Sequence, residues 1–201
     1  MLPGTYNVTL VVDEKTLDTK PIRVAADPEV VLTDAERKRL FDMAMEMHAL
    51  QHRATEISNE LTPFNARMNE TADALGSRTD LPADVKTMFD AVSKELAALL
   101  PKFAPPAGGR GGRGGGGAPD NPLARAATAK NAMMGGMWPT EQTMKGYADA
   151  KAQMPKLIAE ANALFAKAAA LSSALAKHNI TLTPPALPAA VKTTTPSTNQ
   201  R

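Results

Sequence analysis

The sequence predicts a mainly α protein: an antiparallel bundle of three to four long helices with a short β-hairpin at its N-terminus. Two apolar seams carry most of that prediction. Leu40, Met43, Met47, Leu50, Ala54, Ile57 and Leu61 step by three and four residues, and so do Met154, Leu157, Ala161, Leu164, Ala168, Leu171 and Leu175. Such steps keep one stripe on one side of a helix of about 3.6 residues per turn, and a stripe of that length has to be covered. The third observation is composition. Aromatic residues make up 4 % of the chain while alanine, leucine and methionine abound, a mix that suits helices better than sandwiches or barrels. Each seam is the obvious cover for the other.

The hairpin occupies residues 1–28. Tyr6, Val8, Leu10 and Val12 alternate with Asn7, Thr9 and Val11, which gives one apolar face at period two. Asp13-Glu14-Lys15 reads as a polar turn, and a weaker strand follows with Ile22 and Val24 inward and Pro21 at its entry. A lone hairpin is marginal in water. These two strands are therefore expected to close a larger sheet whose other strands precede Met1, and the chain reads as a fragment.

Pro3-Gly4-Thr5-Tyr6-Asn7-Val8-Thr9-Leu10-Val11-Val12-Asp13, followed by Pro21-Ile22-Arg23-Val24 and Asp27-Pro28, resembles the ending of an immunoglobulin- or fibronectin-like module. With an acidic-capped long helix behind it, the layout is similar to the C-terminal region of bacterial sortilin-like proteins. These carry neuraminidase-type (BNR) repeats in a β-propeller and are often labelled glycosyl hydrolases. The resemblance implies that the hairpin is the remnant of a sandwich and that the parent is exported, to the periplasm or beyond. It also implies a protein partner, either the upstream propeller or another copy of the chain. Glu14 stands where that pattern usually has glycine. The propeller is not in this sequence, so its catalytic residues have no positions here.

The first helical hairpin spans 33–103. Thr33-Asp34-Ala35-Glu36 is a capping-box pattern, in which the threonine oxygen and the glutamate carboxylate satisfy each other's backbone N–H groups. Pro63 predicts a break at Thr62 or a kink, since proline removes a helical hydrogen bond, although Phe64, Met68 and Leu75 continue the seam to a stop at Gly76. Asp80-Leu81-Pro82 opens the next helix, with proline in its tolerated first turn. Its inner face runs from Val85 through Phe89 and Val92 to Leu100. The short reversal between Leu75 and Leu81 predicts an antiparallel pair.

Residues 104–120 are a glycine- and proline-rich linker expected to be mobile. The second helical part of the same bundle covers 121–180. It begins with a short helix from Leu123 to Met134, stopped by Gly135-Gly136. Trp138-Pro139 turns the chain, and Thr140 caps the last and longest helix, which runs to about His178 and bends at Pro155. Residues 181–201, rich in proline and threonine, are expected to be a disordered tail.

Little in the chain points to chemistry. There is no cysteine, which excludes a disulfide framework and a thiolate zinc site. No run approaches the roughly 20 apolar residues of a membrane span, and Met1–Thr5 lacks the basic and apolar regions of a signal peptide. Residues 1–100 carry 11 Lys/Arg against 17 Asp/Glu, and residues 101–201 carry 12 against 4. The simplest use of that split is an acidic half docking on a basic half.

His48 and His52 are four apart on one helical face with Glu56 extending the row, a spacing that can hold a divalent metal. Ala49 stands where a metalloprotease helix has glutamate, and no third ligand is evident; a partly exposed polar row beside the seam is the preferred reading of these residues. Arg110 and Arg113, within Gly108-Gly109-Arg110-Gly111-Gly112-Arg113, resemble an arginine–glycine nucleic-acid segment without the aromatic residues. Met43, Met45, Met47, Met133, Met134 and Met137 offer either core packing or an adaptable groove.

The reading is a non-catalytic accessory or interaction module with no cofactor. The alternatives are an accessory part of a glycoside hydrolase whose site lies upstream, and weak nucleic-acid or anion binding by the basic half.

Overall fold

In the computed structural model, which describes residues 2–76, 78, 80–104 and 121–186, the seams become the spines of two long helices. These are α1 (Asp34–Gly76) and α4 (Glu141–Ala176). Between them run α2 (Ala83–Leu99), which ends in a 3-10 turn at Leu100–Lys102, and α3 (Pro122–Met133). Ahead of α1 lie β1 (Gly4–Val12) and β2 (Lys15–Val24). No helix among the described residues is long and apolar enough to cross a membrane.

Cross-helix pairs fix the directions. Glu46 on α1 meets Lys151 on α4, and farther along Arg67 reaches Thr183 just beyond α4. Both numbers rise together, so α1 and α4 run parallel. α2 runs against them, since Glu95 pairs with Lys167 and Lys102 with Glu160. α3 then prolongs α2. Asn121 at its start donates to the carbonyls of Pro101 (3.3 Å) and Ala104 (2.9 Å), and Lys130 near its end reaches Gln51 (2.6 Å). Two short helices stacked end to end thus form the return leg between two long parallel ones, and every cross-section holds three helices. α1 and α2 are antiparallel as their short reversal predicts, but each lies closer to α4 than to the other.

The core is the predicted one. Met47, Ala54, Ile57 and Leu61 of α1 and Met154, Ala161, Leu164, Ala168, Leu171 and Leu175 of α4 are essentially inaccessible and belong to one cluster; Leu50 is partly buried against it. Phe89, Val92 and Leu96 close it from α2. Where α3 replaces α2, Ala126 and Ala129 are buried, and such small side chains let helix axes approach closely. The acidic and basic halves meet through Glu46–Lys151 and Glu95–Lys167. These pairs are half exposed, so each stabilises by at most about 1 kcal/mol.

The caps form as expected. Glu36 Oε2 accepts from the Thr33 N–H (2.8 Å) and Thr33 Oγ1 from the Glu36 N–H (3.2 Å). Thr140 Oγ1 accepts from the Thr143 N–H. Gly136 takes a positive φ of 79° in the turn after α3, a conformation that glycine adopts without strain.

Four expectations are corrected. Of the two outcomes expected at Pro63, the break at Thr62 is the one overturned: α1 continues through Pro63 because Leu61 and Phe64, on either side, are held in the core, and that burial outweighs one missing hydrogen bond. α1, with 43 residues, is therefore the longest helix, ahead of α4 with 36. Lys15 belongs to β2 rather than to the turn, which puts Pro21 in mid-strand. The start of the predicted tail is docked: Leu182 is buried, its carbonyl accepts from Ser172 Oγ (2.6 Å), and the Ala186 N–H donates to Glu60 (3.1 Å). Arg110, Arg113 and residues 187–201 lie outside the described residues.

Candidate binding surface at the hairpin end

The hairpin is a two-stranded antiparallel sheet that the bundle does not cover. Asp13 and Glu14 have φ of 47° and 64° between the paired residues Val12 and Lys15, the two-residue turn whose twist matches the strands and which asks for φ > 0 twice. A shift of register between Leu10 and Val11 follows. The alternation sets Tyr6, Val8, Leu10 and Ile22 on one face, yet Val8 is 57 % and Ile22 51 % exposed. Only Tyr6 is partly covered, with its hydroxyl donating to the Leu2 carbonyl (2.6 Å).

The two edges of this sheet differ. β1 carries no charged residue and no proline from Gly4 to Val12, whereas β2 carries Lys15, Asp18, Lys20, Pro21 and Arg23 together with the irregularity near Leu17. Charges, proline and bulges are what outer strands use against unwanted pairing. Pro21 has no N–H to give its partner Asn7, so that pair is a non-hydrogen-bonded one. By alternation the Thr5–Arg23 and Thr9–Thr19 pairs are too. The Thr9 and Thr19 hydroxyls, 3.1 Å apart, fit the close side-chain approach of such a pair. The amides of Thr5, Asn7 and Thr9 therefore point out of the open edge of β1.

Where the base of the hairpin crosses the bundle there is a cavity of about 540 Å³, within the size range of small-molecule sites. Leu32, Leu40, Ala44 and Met133 form its apolar wall, and Arg37, His48 and Lys130 line it with polar heads. Arg37 Nη2 donates to the Val30 carbonyl (2.8 Å), while its Nε is buried with no acceptor among the described residues. Of the methionines, Met43, Met47 and Met133 pack in the core, whereas Met45 and Met134 border the cavity from exposed positions. Trp138 is 42 % exposed, with the Arg39 guanidinium 5.6 Å from its ring centre.

The histidine row lies along the exposed surface of α1. His48 and His52 are exposed with rings 6.4 Å apart and tilted, and His52 Nδ1 is 3.8 Å from Glu56. Glu56 also accepts from Arg53 at 3.3 Å. No group of three potential ligands occurs among the described residues.

Three titratable side chains form a clamp between α1 and α4. The Tyr147 hydroxyl donates to Glu46, and Lys151 Nζ lies 2.9 Å from the same carboxylate. Burial pushes the Glu46 carboxyl up, but the bonds from Tyr147 and Lys151 outweigh it and leave a net depression. Burial and the bond to Glu46 raise the Tyr147 hydroxyl. The trio joins the two helices.

Sequence reasoning missed Arg37 and Asn121. Arg37 sits between charged neighbours Glu36, Lys38 and Arg39, so nothing distinguishes it from a solvated arginine. Asn121 precedes Pro122, a recognisable helix-start signal that says nothing of its second task at the end of α2. No protein-family description, curated protein or solved structure matches the chain.

Proposed function

We propose that this chain is a non-catalytic accessory module that attaches to other protein through its hairpin. The larger structure it serves, on the resemblance of Pro3–Asp13 and Pro21–Val24, is an exported bacterial propeller protein. The observation that carries the reading is the unlike pair of edges: a guarded outer strand, β2, beside an unguarded one, β1. A strand built like β1 belongs inside a sheet, so its occupant is a further strand of the sandwich that the hairpin motif resembles. Main-chain bonds to Thr5, Asn7 and Thr9 supply the affinity in that mode of pairing.

Sedimentation velocity of the chain mixed with the β domain that precedes the motif in such a parent tests it. Co-sedimentation is expected, lost in Thr9→Pro and kept in Thr19→Pro, which removes an amide from the outer edge instead. Failure to co-sediment overturns the reading. Concentration-dependent dimers of the chain alone, abolished by Thr9→Pro, would make the occupant a second copy and remove the parent from the account. Glycosidase turnover by the isolated chain would overturn the non-catalytic part.

A further inference from the structure

We propose that the junction cavity binds an amphiphilic monocarboxylate, with its head group on Arg37 and its alkyl chain along Leu40, Ala44 and Met133. Three observations carry it, none of which depends on what the hairpin docks against.

The first is charge. Neither Arg37 nor Lys130 has a carboxylate within ion-pair distance among the described residues, and Lys130 is held by the neutral Gln51 side chain instead. Asp27 is the one acidic residue on the cavity wall among the described residues, and its Oδ1 accepts from the Glu29 N–H (2.9 Å). The wall thus carries two cations, Arg37 and Lys130, against one carboxylate.

The second is the buried Nε of Arg37. Guanidinium stays charged at any ordinary pH and has five N–H donors. A buried donor without an acceptor is costly; a carboxylate is the acceptor that a guanidinium fork fits best, and a small shift of the Arg37 side chain brings Nε to it.

The third is shape. Arg37, Leu40, Phe41, Ala44, Met45 and His48 line the cavity from α1 at steps of three and four, so they share one helix face. From Arg37 to His48 that face runs about 16 Å at 1.5 Å per residue, long enough for an extended medium alkyl chain. Met133 closes the wall opposite, and Met45 and Met134 stand at the opening, where thioethers adapt to a flexible chain. A short hydrophilic anion would leave that wall bare, and a neutral alkane would leave Arg37 unanswered.

Isothermal titration of the chain with dodecanoate, kept below its micelle-forming concentration, is the direct test. One saturable site is expected. Arg37→Met weakens dodecanoate about tenfold or more, the loss of one charge-assisted bond, while dodecanol, bound more weakly to wild type, changes little. Ala44→Leu, which fills the wall and leaves Arg37 in place, abolishes binding of both, with helicity by circular dichroism unchanged. A fatty carboxylate and an anionic phospholipid share an anionic head on an alkyl chain, so vesicles of phosphatidylglycerol in phosphatidylcholine form a second arm. Vesicle binding that Ala44→Leu also abolishes identifies the lipid as the source of the chain. The absence of a saturable site, or binding that survives both variants, overturns the proposal.

Discussion

Leu164 and Leu10 are the same side chain in opposite surroundings: the first has no exposed surface, and the second is 55 % exposed. The bundle covers its own apolar stripes because a single chain supplies all three legs, with α2 and α3 stacked to oppose two long parallel helices. The hairpin has a shorter stripe at period two, Tyr6, Val8 and Leu10 beside Ile22, with Lys20 and Asp18 opposite Val8 and Leu10 on the same face, and most of it is exposed. The difference teaches that an apolar pattern specifies a need for cover without specifying its source. In the bundle the source is internal. In the hairpin no internal source is present among the described residues, and under the proposed function the cover comes from further strands added at the β1 edge.

That contrast can be broken by substitution. Leu164→Ala should lower the stability of the bundle by about 2–5 kcal/mol in urea unfolding followed at the helical signal, whereas Leu10→Ala should change it by less than about 0.5 kcal/mol. Similar losses from both would mean that the hairpin is part of the core after all. Asn121→Ala comes next, at about 1–3 kcal/mol. It removes a helix cap at Ala124 and leaves the Pro101 and Ala104 carbonyls without their donor. A loss no larger than that of an ordinary surface residue would show that the stacking of α3 on α2 does not depend on it.

Smaller effects sharpen the comparison. Glu14 holds a left-handed conformation that costs a residue with a side chain about 1 kcal/mol. Glu14→Gly should therefore slow exchange of the hairpin amides several-fold and leave urea unfolding of the bundle unmoved. Last is a titration confined to the turn between α1 and α2. The Arg78 guanidinium, bonded to both oxygens of Asp80, holds that carboxyl at about 2, below its ordinary 3.8. The depression means that the pair favours the folded state at any pH above the ordinary value and loses that effect as pH falls toward about 2. Carbon-detected NMR should show Asp80 titrating near its ordinary value in Arg78→Ala, with the hairpin signals unchanged.

Much of this fold was legible because the seams are long. Seven residues at steps of three and four specify a helix and the side it buries, and the caps at Thr33 and Thr140 specify where two helices begin. The misreadings arose where a local rule met a distant contact. Pro63 argues for a break only until Leu61 and Phe64 are seen buried on either side of it. Leu182 lies in a proline- and threonine-rich segment without periodicity, so one anchoring side chain gave no signal. The alternation of the hairpin was readable, and with it a turn at Asp13-Glu14, although Lys15, which reads as part of that turn, belongs to β2. The cavity was not, because its parts come from the hairpin base, α1 and the end of α3, three stretches that share no pattern. His48 and His52 were visible as a spacing, but a metal centre needs a third ligand from elsewhere, and none stands beside them among the described residues.

Native-state hydrogen exchange across a urea series tests the central claim most directly, since it reads the opening free energy of each segment separately. The account predicts that amides around Met47 and Leu164 open only with global unfolding and steeply with urea, while those of β1 and β2 open locally, at far lower cost and almost independently of urea. A single opening free energy shared by hairpin and helices would contradict it.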